Sequence, residues 1–147
     1  MRPTLLVSGS HPHHIHAPQR EGDVGYDLVL NEMRAIPPLT TAWVKTGVRI
    51  KLPEGWWAAI DGRSSTLTRY GLLVVHSTID TGFTGELSIG LYNVGGSRTC
   101  VQEGMRLAQL TLHQCHVLEL EYVEKLPFTA RGDKGFGSTG VGVHDLP

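Results

Sequence analysis

Short runs in which apolar and polar residues alternate recur along this chain. In ELSIGLYN, residues 86–93, Leu87, Ile89 and Leu91 fall on one face, and polar or small residues fall on the other. A period of two is the pattern of a β-strand with one buried face. The same pattern, with enrichment in β-branched and aromatic residues, predicts strands at residues 26–30, 42–52, 56–60, 72–76, 86–93 and 106–124.

Glycine and proline separate these runs. The chain has 18 glycines and 8 prolines, a composition typical of many short strands joined by tight turns. Only residues 32–35 and 66–70 have the pattern of short helical turns. The sequence therefore predicts an all-β fold, and it favours a distorted jelly-roll β-barrel over a sheet covered by helices.

The character of the sequence changes near its end. After Pro127 the chain is rich in glycine and has almost no apolar residue that could hold it to a core. We predict one β-barrel domain over residues 1–128 and a flexible C-terminal arm over residues 129–147.

The charge balance argues against a polymeric nucleic-acid partner. Thirteen Lys and Arg residues are matched by fourteen Asp and Glu, a formal net charge of −1, which leaves no broad cationic surface for a phosphate backbone. No apolar run approaches a secretory signal or a membrane span in length. The two cysteines, Cys100 and Cys115, lack metal-ligand spacing. We expect a soluble cytoplasmic protein with reduced thiols and no membrane partner.

The segment HPHHIH, residues 11–16, carries four histidines, which are good ligands for borderline metals. It has no companion carboxylate or thiolate at suitable spacing and precedes the first clear strand. We interpret it as a solvated loop without a catalytic role.

Three loops have the composition of a phosphate site. GFGSTG, residues 135–140, combines glycines with two hydroxyls and an aromatic ring, and DGRSS, residues 61–65, places Arg63 beside two serines. Asp27, in GDVGYDLVL, is a candidate to hold magnesium directly or through water. Taken singly, each is also explained as a frayed terminus or an ordinary surface turn.

Together these loops belong to an ordered series of motifs. The chain contains VGYDL, GRSSTLTRYGL, TIDTGFTGE, RLAQL and RGDKGFGSTG in that order. This series, within residues 22–143, resembles the five motifs of the trimeric dUTP nucleotidohydrolases, or dUTPases. The resemblance implies a homotrimer of jelly-roll subunits with active sites shared between chains. It also implies hydrolysis of dUTP to dUMP and pyrophosphate with Mg²⁺.

The resemblance also assigns roles to individual residues. Asp80 is the expected general base that deprotonates water for attack on the α-phosphorus, and Asp27 is expected to hold hydrated magnesium. The expected phosphate-binding residues are Arg63, Ser64, Ser65, Gln109, Arg131, Ser138 and Thr139. The expected base- and sugar-binding residues are Ile79, Phe83 and Phe136. His76 is the nearest polar side chain in the base-reading segment and is a further candidate, donating a ring N–H to a uracil oxygen, although it is also explained as a half-buried strand histidine.

Four features depart from the family pattern. Phe83 replaces the usual Tyr, Val24 replaces a commoner Ala before Gly25, and GRSST replaces a commoner PRSGL. The segment from Gly71 to Asp80 is also one or two residues shorter than the family's uracil-reading hairpin. The chain also resembles the related dCTP deaminases, including bifunctional forms that convert dCTP to dUMP. Those enzymes place a Glu where this chain has Gly90, and Glu86 lies about 13 Å away along the strand, so deamination is disfavoured. A regulatory binding module on the same fold, with an additional protein partner, stays open as a third hypothesis.

Overall fold

The computed structural model describes residues 1–135 and Gly140. Within these residues the chain forms eleven strands and one helix, α1, at Ser64–Tyr70. The strands are β1 Leu6–Ser8, β2 Ile15–His16, β3 Tyr26–Val29, β4 Arg34–Ile36, β5 Thr41–Lys51, β6 Trp56–Gly62, β7 Leu72–Val74, β8 Ser77–Ile79, β9 Glu86–Asn93, β10 Thr99–Val101 and β11 Arg106–Gln114.

The strands form three antiparallel sheets. One has the order β1-β5-β9-β7, the second β2-β3-β11-β6-β8, and β4 pairs with β10 in a small third sheet. The inward faces of the two large sheets share one core, in which Leu28, Leu110, Val44 and Ile89 are fully buried. The all-β prediction is confirmed, with the strands arranged as packed sheets rather than as one continuous closed barrel.

A bulge in β5 fixes the histidine-rich segment. The pairing of β5 with β9 shifts register between Lys45 and Arg49, and the fully buried Thr46 hydroxyl donates to Leu87 O at 2.7 Å. His11 N donates to Gly47 O at 2.9 Å, and His14 Nδ1 lies 3.1 Å from Thr46 O. The interpretation of residues 11–16 as a solvated loop is therefore wrong, because the segment docks on this bulge and continues into β2.

Helix α1 begins directly after Arg63. It ends at Gly71, which has the left-handed φ of 62° and donates to Leu67 O, a conformation that favours glycine. The buried Thr66 hydroxyl donates to Leu107 O at 2.6 Å and ties the helix to β11. The predicted helical turn at 66–70 is confirmed, and it extends back to include Ser64 and Ser65.

Three predicted elements differ from the structure. Residues 34–36 form β4 rather than a helical turn, because they pair with β10. The strand predicted over 106–124 ends at Gln114. Strands β7 and β8 do not form a hairpin with each other, since β7 pairs with β9 and β8 pairs with β6.

Residues 1–116 form one compact unit, and Val117–Pro147 form a second. No strand or helix occurs in the described part of the second unit. Its side chains Leu118, Leu120, Tyr122 and Phe128 are each at least 80% exposed. The predicted boundary at residue 128 stays a prediction. Among the described residues, no helix is both long and apolar enough to cross a membrane.

Candidate active site

A row of polar side chains crosses the five-stranded sheet. His16 pairs with Asp27, Asp27 with Gln109, and Gln109 with Asp61. His76, just before β8, extends the row, since its Nδ1 lies 2.7 Å from Asp61 Oδ1. Directly paired residues share a face of a sheet. The residues that alternate with them along these strands belong to the other face and are buried in the core. The row therefore lies on the face turned away from the core.

Asp27 holds two arginines at one end of this row. Its Oδ1 lies 3.2 Å from Arg63 Nε, and its Oδ2 lies 3.7 Å from Arg106 Nη1. Arg63 is further fixed by donating from Nη1 to the carbonyl of Arg106 at 3.1 Å. Both guanidinium groups keep donors that do not face Asp27, and these can bind an anion.

These residues line a cleft of about 740 Å³. The other walls come from His16, Ser64, Gln109 and the loop at residues 17–25. Three arginines, at positions 20, 63 and 106, and two aspartates, at positions 23 and 27, line the cleft. Three positive and two negative charges give a formal charge of +1, so the cleft suits a phosphorylated ligand.

Gly25 lets the Gln109 amide enter the cleft. A Cβ at position 25 would collide with Gln109 Oε1, and Gln109 Nε2 donates to Gly62 O at 3.3 Å. The glycine of the VGYDL motif is therefore needed because the glutamine of the RLAQL motif packs directly on its backbone.

Arg106, Arg20, His16 and Asp61 were not identified from the sequence. Arg106 and Gln109 are three positions apart, which would put them on opposite faces of a regular strand. A register shift between Arg106 and Ala108 brings both into the cleft. The two consecutive apolar residues in RLAQL are the one sequence signal of this bulge.

Asp80 lies elsewhere, in an exposed turn after β8. The turn is held by Phe83 N donating to Asp80 O at 3.0 Å and by Lys51 Nζ donating to Thr81 O at 2.9 Å. The Phe83 ring is 42% exposed and packs over Gly85, where a Cβ would lie 2.6 Å from the ring. The turn thus exposes both a carboxylate and an apolar ring.

The predicted site residues therefore fall into separate groups. The cleft brings together Asp27, Arg63, Ser64 and Gln109, whereas Ser65, His76, Ile79, Asp80 and Phe83 are not among its lining residues. In the second unit, Arg131 Nε donates to Lys134 O at 3.0 Å within a local turn. Phe136, Ser138 and Thr139 lie outside the described residues.

The described residues fit magnesium only if water and substrate supply most of the ligands of the ion. Both oxygens of Asp27 face arginines, and the described part of the chain has no group of three or more His, Cys, Asp or Glu that could hold a metal. Mg²⁺ commonly keeps several waters and binds one or two carboxylates together with substrate phosphates. Asp27 fits such a site through water.

Comparison with known proteins gives the family. A family model described as dUTPase matches residues 11–140. The deoxyuridine 5'-triphosphate nucleotidohydrolase of Clostridium novyi (strain NT) is 40% identical over 123 residues, which are 82% of this chain and 87% of that protein.

Two solved structures share the fold. The dUTPase of Staphylococcus bacteriophage 80alpha with dUPNHPP, one of the phage dUTPases described as controlling transfer of virulence genes, has a TM-score of 0.82. It is 27% identical and covers 94% of this chain and 99% of its own. A mutant dUTPase from phage phi11 of S. aureus, described as coordinating a structural Mg(II) ion, has a TM-score of 0.72. It is 25% identical and covers 84% of this chain and 98% of its own.

The antiparallel sheets and the arginine-lined cleft define an all-β protein with a cleft of net positive charge. Given the family match over most of its length and the 40% identical relative, the chain belongs to the dUTPase family.

Proposed function

We propose that this protein hydrolyses dUTP to dUMP and pyrophosphate. The observation that carries the proposal is the cleft in which Arg63, Arg106 and Gln109 surround Asp27. These residues come from three of the family-like motifs, and their excess positive charge suits a triphosphate.

Phosphate binding follows from this geometry. Arg63 and Arg106 can each donate to phosphate oxygens while Asp27 keeps their orientation. The Ser64 hydroxyl and the Gln109 amide line the same cleft and supply further donors. Ser65, the next residue of α1, stays a predicted phosphate ligand.

Asp80 acts as the general base. It takes a proton from water as the water oxygen forms a bond to the α-phosphorus, and the bond from that phosphorus to the bridging oxygen breaks and releases pyrophosphate. Its exposure leaves it accessible to water, and the hydrogen bonds of its turn hold it in place. Phosphoryl transfer needs such positioning and charge neutralisation more than covalent catalysis.

The active site is shared between chains of a homotrimer. Strands β3 and β8 are three strand spacings apart in the sheet order, which corresponds to about 14 Å across the sheet. Asp80 is also displaced from Asp27 by about 13 Å along the strand direction. Combining the two displacements places Asp80 and Asp27 of one chain about 19 Å apart. A general base must lie within hydrogen-bond reach of its water. The Asp80 turn of one subunit therefore serves the cleft of another.

The exposed apolar residues of the second unit support assembly. Leu118, Leu120 and Tyr122 are each at least 80% exposed and alternate with Glu119 and Glu121. So many large apolar side chains exposed within one short segment are unusual on a monomer. We assign this segment to contact with another copy of the chain.

Magnesium binds together with the substrate. The ion neutralises charge on the phosphates when it is bound. Asp27 is the residue that would hold it, through water, while its carboxylate also orients Arg63 and Arg106.

The remaining predicted residues complete the site. Phe83, in the turn after Asp80, forms the apolar surface for the deoxyribose. The predicted contact of the Ile79 side chain is not supported, because that side chain is buried in the core. From the arm, Arg131, Ser138 and Thr139 bind the γ-phosphate, and Phe136 stacks on the uracil, a contact worth about 1–3 kcal/mol.

Deamination of dCTP is not supported by the surroundings of Gly90. A Cβ at this position would lie 2.9 Å from Val75 Cβ and 3.0 Å from the Trp43 ring. The chain has packed apolar side chains over the position at which a deaminase needs its glutamate.

The test is to incubate the purified protein and magnesium with dUTP, dCTP or UTP and to follow pyrophosphate and the base of the product. Pyrophosphate from dUTP, with little from UTP and no uracil product from dCTP, is expected. Uracil products from dCTP would indicate a deaminase. Nucleotide binding without turnover of any substrate would indicate a regulatory binding module.

A further inference from the structure

Asp61 and His76 form a hydrogen-bonded pair that the proposed hydrolysis does not yet use. Asp61 lies near the end of β6, and His76 lies in the two-residue connection between β7 and β8. Their side chains meet at 2.7 Å between Oδ1 and Nδ1 and are 45% and 59% exposed. The other edge of the imidazole ring is thus accessible to a ligand.

The connection that carries His76 is fixed on both sides. Val75 N donates to Gly90 O at 2.8 Å, which ties it to β9, and Ser77 pairs with Ile60 of β6. With only Val75 and His76 between the two strands, the backbone has little freedom to adjust to a base. The position of the ring is therefore determined by the sheets and by Asp61.

The hydrogen bond to Asp61 determines whether the other ring nitrogen of His76 donates or accepts a hydrogen bond. A carboxylate only accepts hydrogen bonds, so the Nδ1 that faces Asp61 carries the proton. In a neutral imidazole the other nitrogen, Nε2, then has the lone pair and acts as an acceptor. This is the opposite of the donor role that the sequence predicts for His76.

We propose that Asp61 is a positioning residue that holds His76 as an acceptor for the ring N–H of uracil. The proposal rests on the proposed dUTP hydrolysis, in which Phe83, in the turn after β8, contacts the nucleoside. Uracil carries a hydrogen on N3, whereas cytosine has a lone pair there, so an acceptor facing this atom pairs with uracil and repels cytosine. The pair thereby selects the base by its Watson–Crick edge.

The test compares base selectivity in Asp61→Asn, His76→Ala and the double variant. The ratio of kcat/KM for dUTP to that for dCTP, measured by pyrophosphate release, is expected to fall about tenfold in each single variant, the effect of one hydrogen bond. Because Asp61 acts through His76, the double variant should match His76→Ala. Glu103→Gln removes an exposed carboxylate in the turn between β10 and β11 and should leave the ratio unchanged.

A second measurement determines directly which nitrogen of the His76 ring is protonated. In ¹⁵N NMR of the histidine side chains, His76 should show a protonated Nδ1 and an unprotonated Nε2, and Asp61→Asn should make it a mixture of both tautomers. An unchanged dUTP/dCTP ratio in Asp61→Asn, or an Nε2-protonated ring in the unaltered protein, would overturn the proposal while hydrolysis of dUTP still stood. No pyrophosphate from dUTP with the unaltered protein would instead overturn the proposed function, and this proposal with it.

Discussion

Asp27 contacts two of the arginines that line the cleft. Its two arginine contacts at 3.2 and 3.7 Å involve side chains that are 24–45% exposed, and exposed ion pairs of this kind are worth only about 0–1 kcal/mol each. A triphosphate can therefore compete for the arginines at little cost. The carboxylate serves to orient the guanidinium groups rather than to stabilise the fold.

Gly25→Ala tests the placement of the Gln109 amide. The added methyl would collide with Gln109 Oε1, so the amide must shift from its present position. We expect kcat/KM for dUTP to fall about tenfold or more, the loss of one hydrogen bond to a charged group, with a melting temperature close to that of the unaltered protein. Gly96→Ala is the matched control, because nothing lies within 4 Å of its added Cβ. Equal activity of the two variants would show that the amide position is unimportant.

At the residue scale, some residues of the cleft were predicted from the sequence and others were not. The motifs named Asp27, Arg63 and Gln109, which the structure places in one cleft. Arg106 and Asp61 were missed because their positions depend on a bulge and on strand register, which residue order alone does not specify.

At the scale of elements, the bulge in β5 connects the core to the N-terminal segment. The buried Thr46 hydroxyl donates to Leu87 O and accepts from Val48 N at 3.1 Å, which satisfies the backbone where the ladder is interrupted. His11 and His14 pack on the same bulge. The segment in turn leads into β2 and the cleft loop, so the bulge supports one wall of the site.

Thr46→Val should destabilise the protein measurably. The isosteric methyl keeps the packing but leaves a buried N–H and C=O without partners, a cost of about 1–3 kcal/mol in the free energy of unfolding. Urea denaturation measures this change. Thr41→Val, at the exposed start of the same strand, should change stability much less, and similar losses in both variants would argue against a role for the hydroxyl in holding the bulge.

Long strands were predicted better than short ones. The limits of β9 match those predicted from its alternation, and β5 differs by one residue at each end. Strands of two or three residues, such as β2 and β4, are too short to show a period and depend on pairing with distant segments. The over-long prediction beyond Gln114 arose because residues 117–126 alternate like a strand while exposing their apolar side chains.

At the scale of the whole molecule, the predicted site residues lie at two separate places in one chain. The cleft contains Asp27 and Arg63, and the turn after β8 contains Asp80 and Phe83. Under the proposed function, assembly of several copies brings these two groups together. The class of enzyme predicted from five short motifs agrees with the family to which the chain belongs.

Deletion of residues 131–147 tests the proposed arm. It removes Arg131, Phe136, Ser138 and Thr139 together, so kcat/KM for dUTP should fall about a hundredfold or more from the loss of charged hydrogen bonds and base stacking. Analytical ultracentrifugation should still show a trimer, because the apolar segment at 117–128 is kept. Full activity of the shortened chain would remove the arm from the mechanism.

Complementation between inactive variants tests the shared site most directly. Asp80→Asn and Arg63→Ala should each abolish pyrophosphate release from dUTP. When the two are co-expressed as random trimers, about a quarter of the sites should combine an intact Asp80 from one chain with an intact Arg63 from another. Arg63→Ala with Asp27→Ala is the control that should stay as inactive as its components, because both residues line the cleft of one chain. Recovery of about a quarter of the activity in the first mixture alone is the predicted result, and a mixture as inactive as its components would contradict a site built from two subunits.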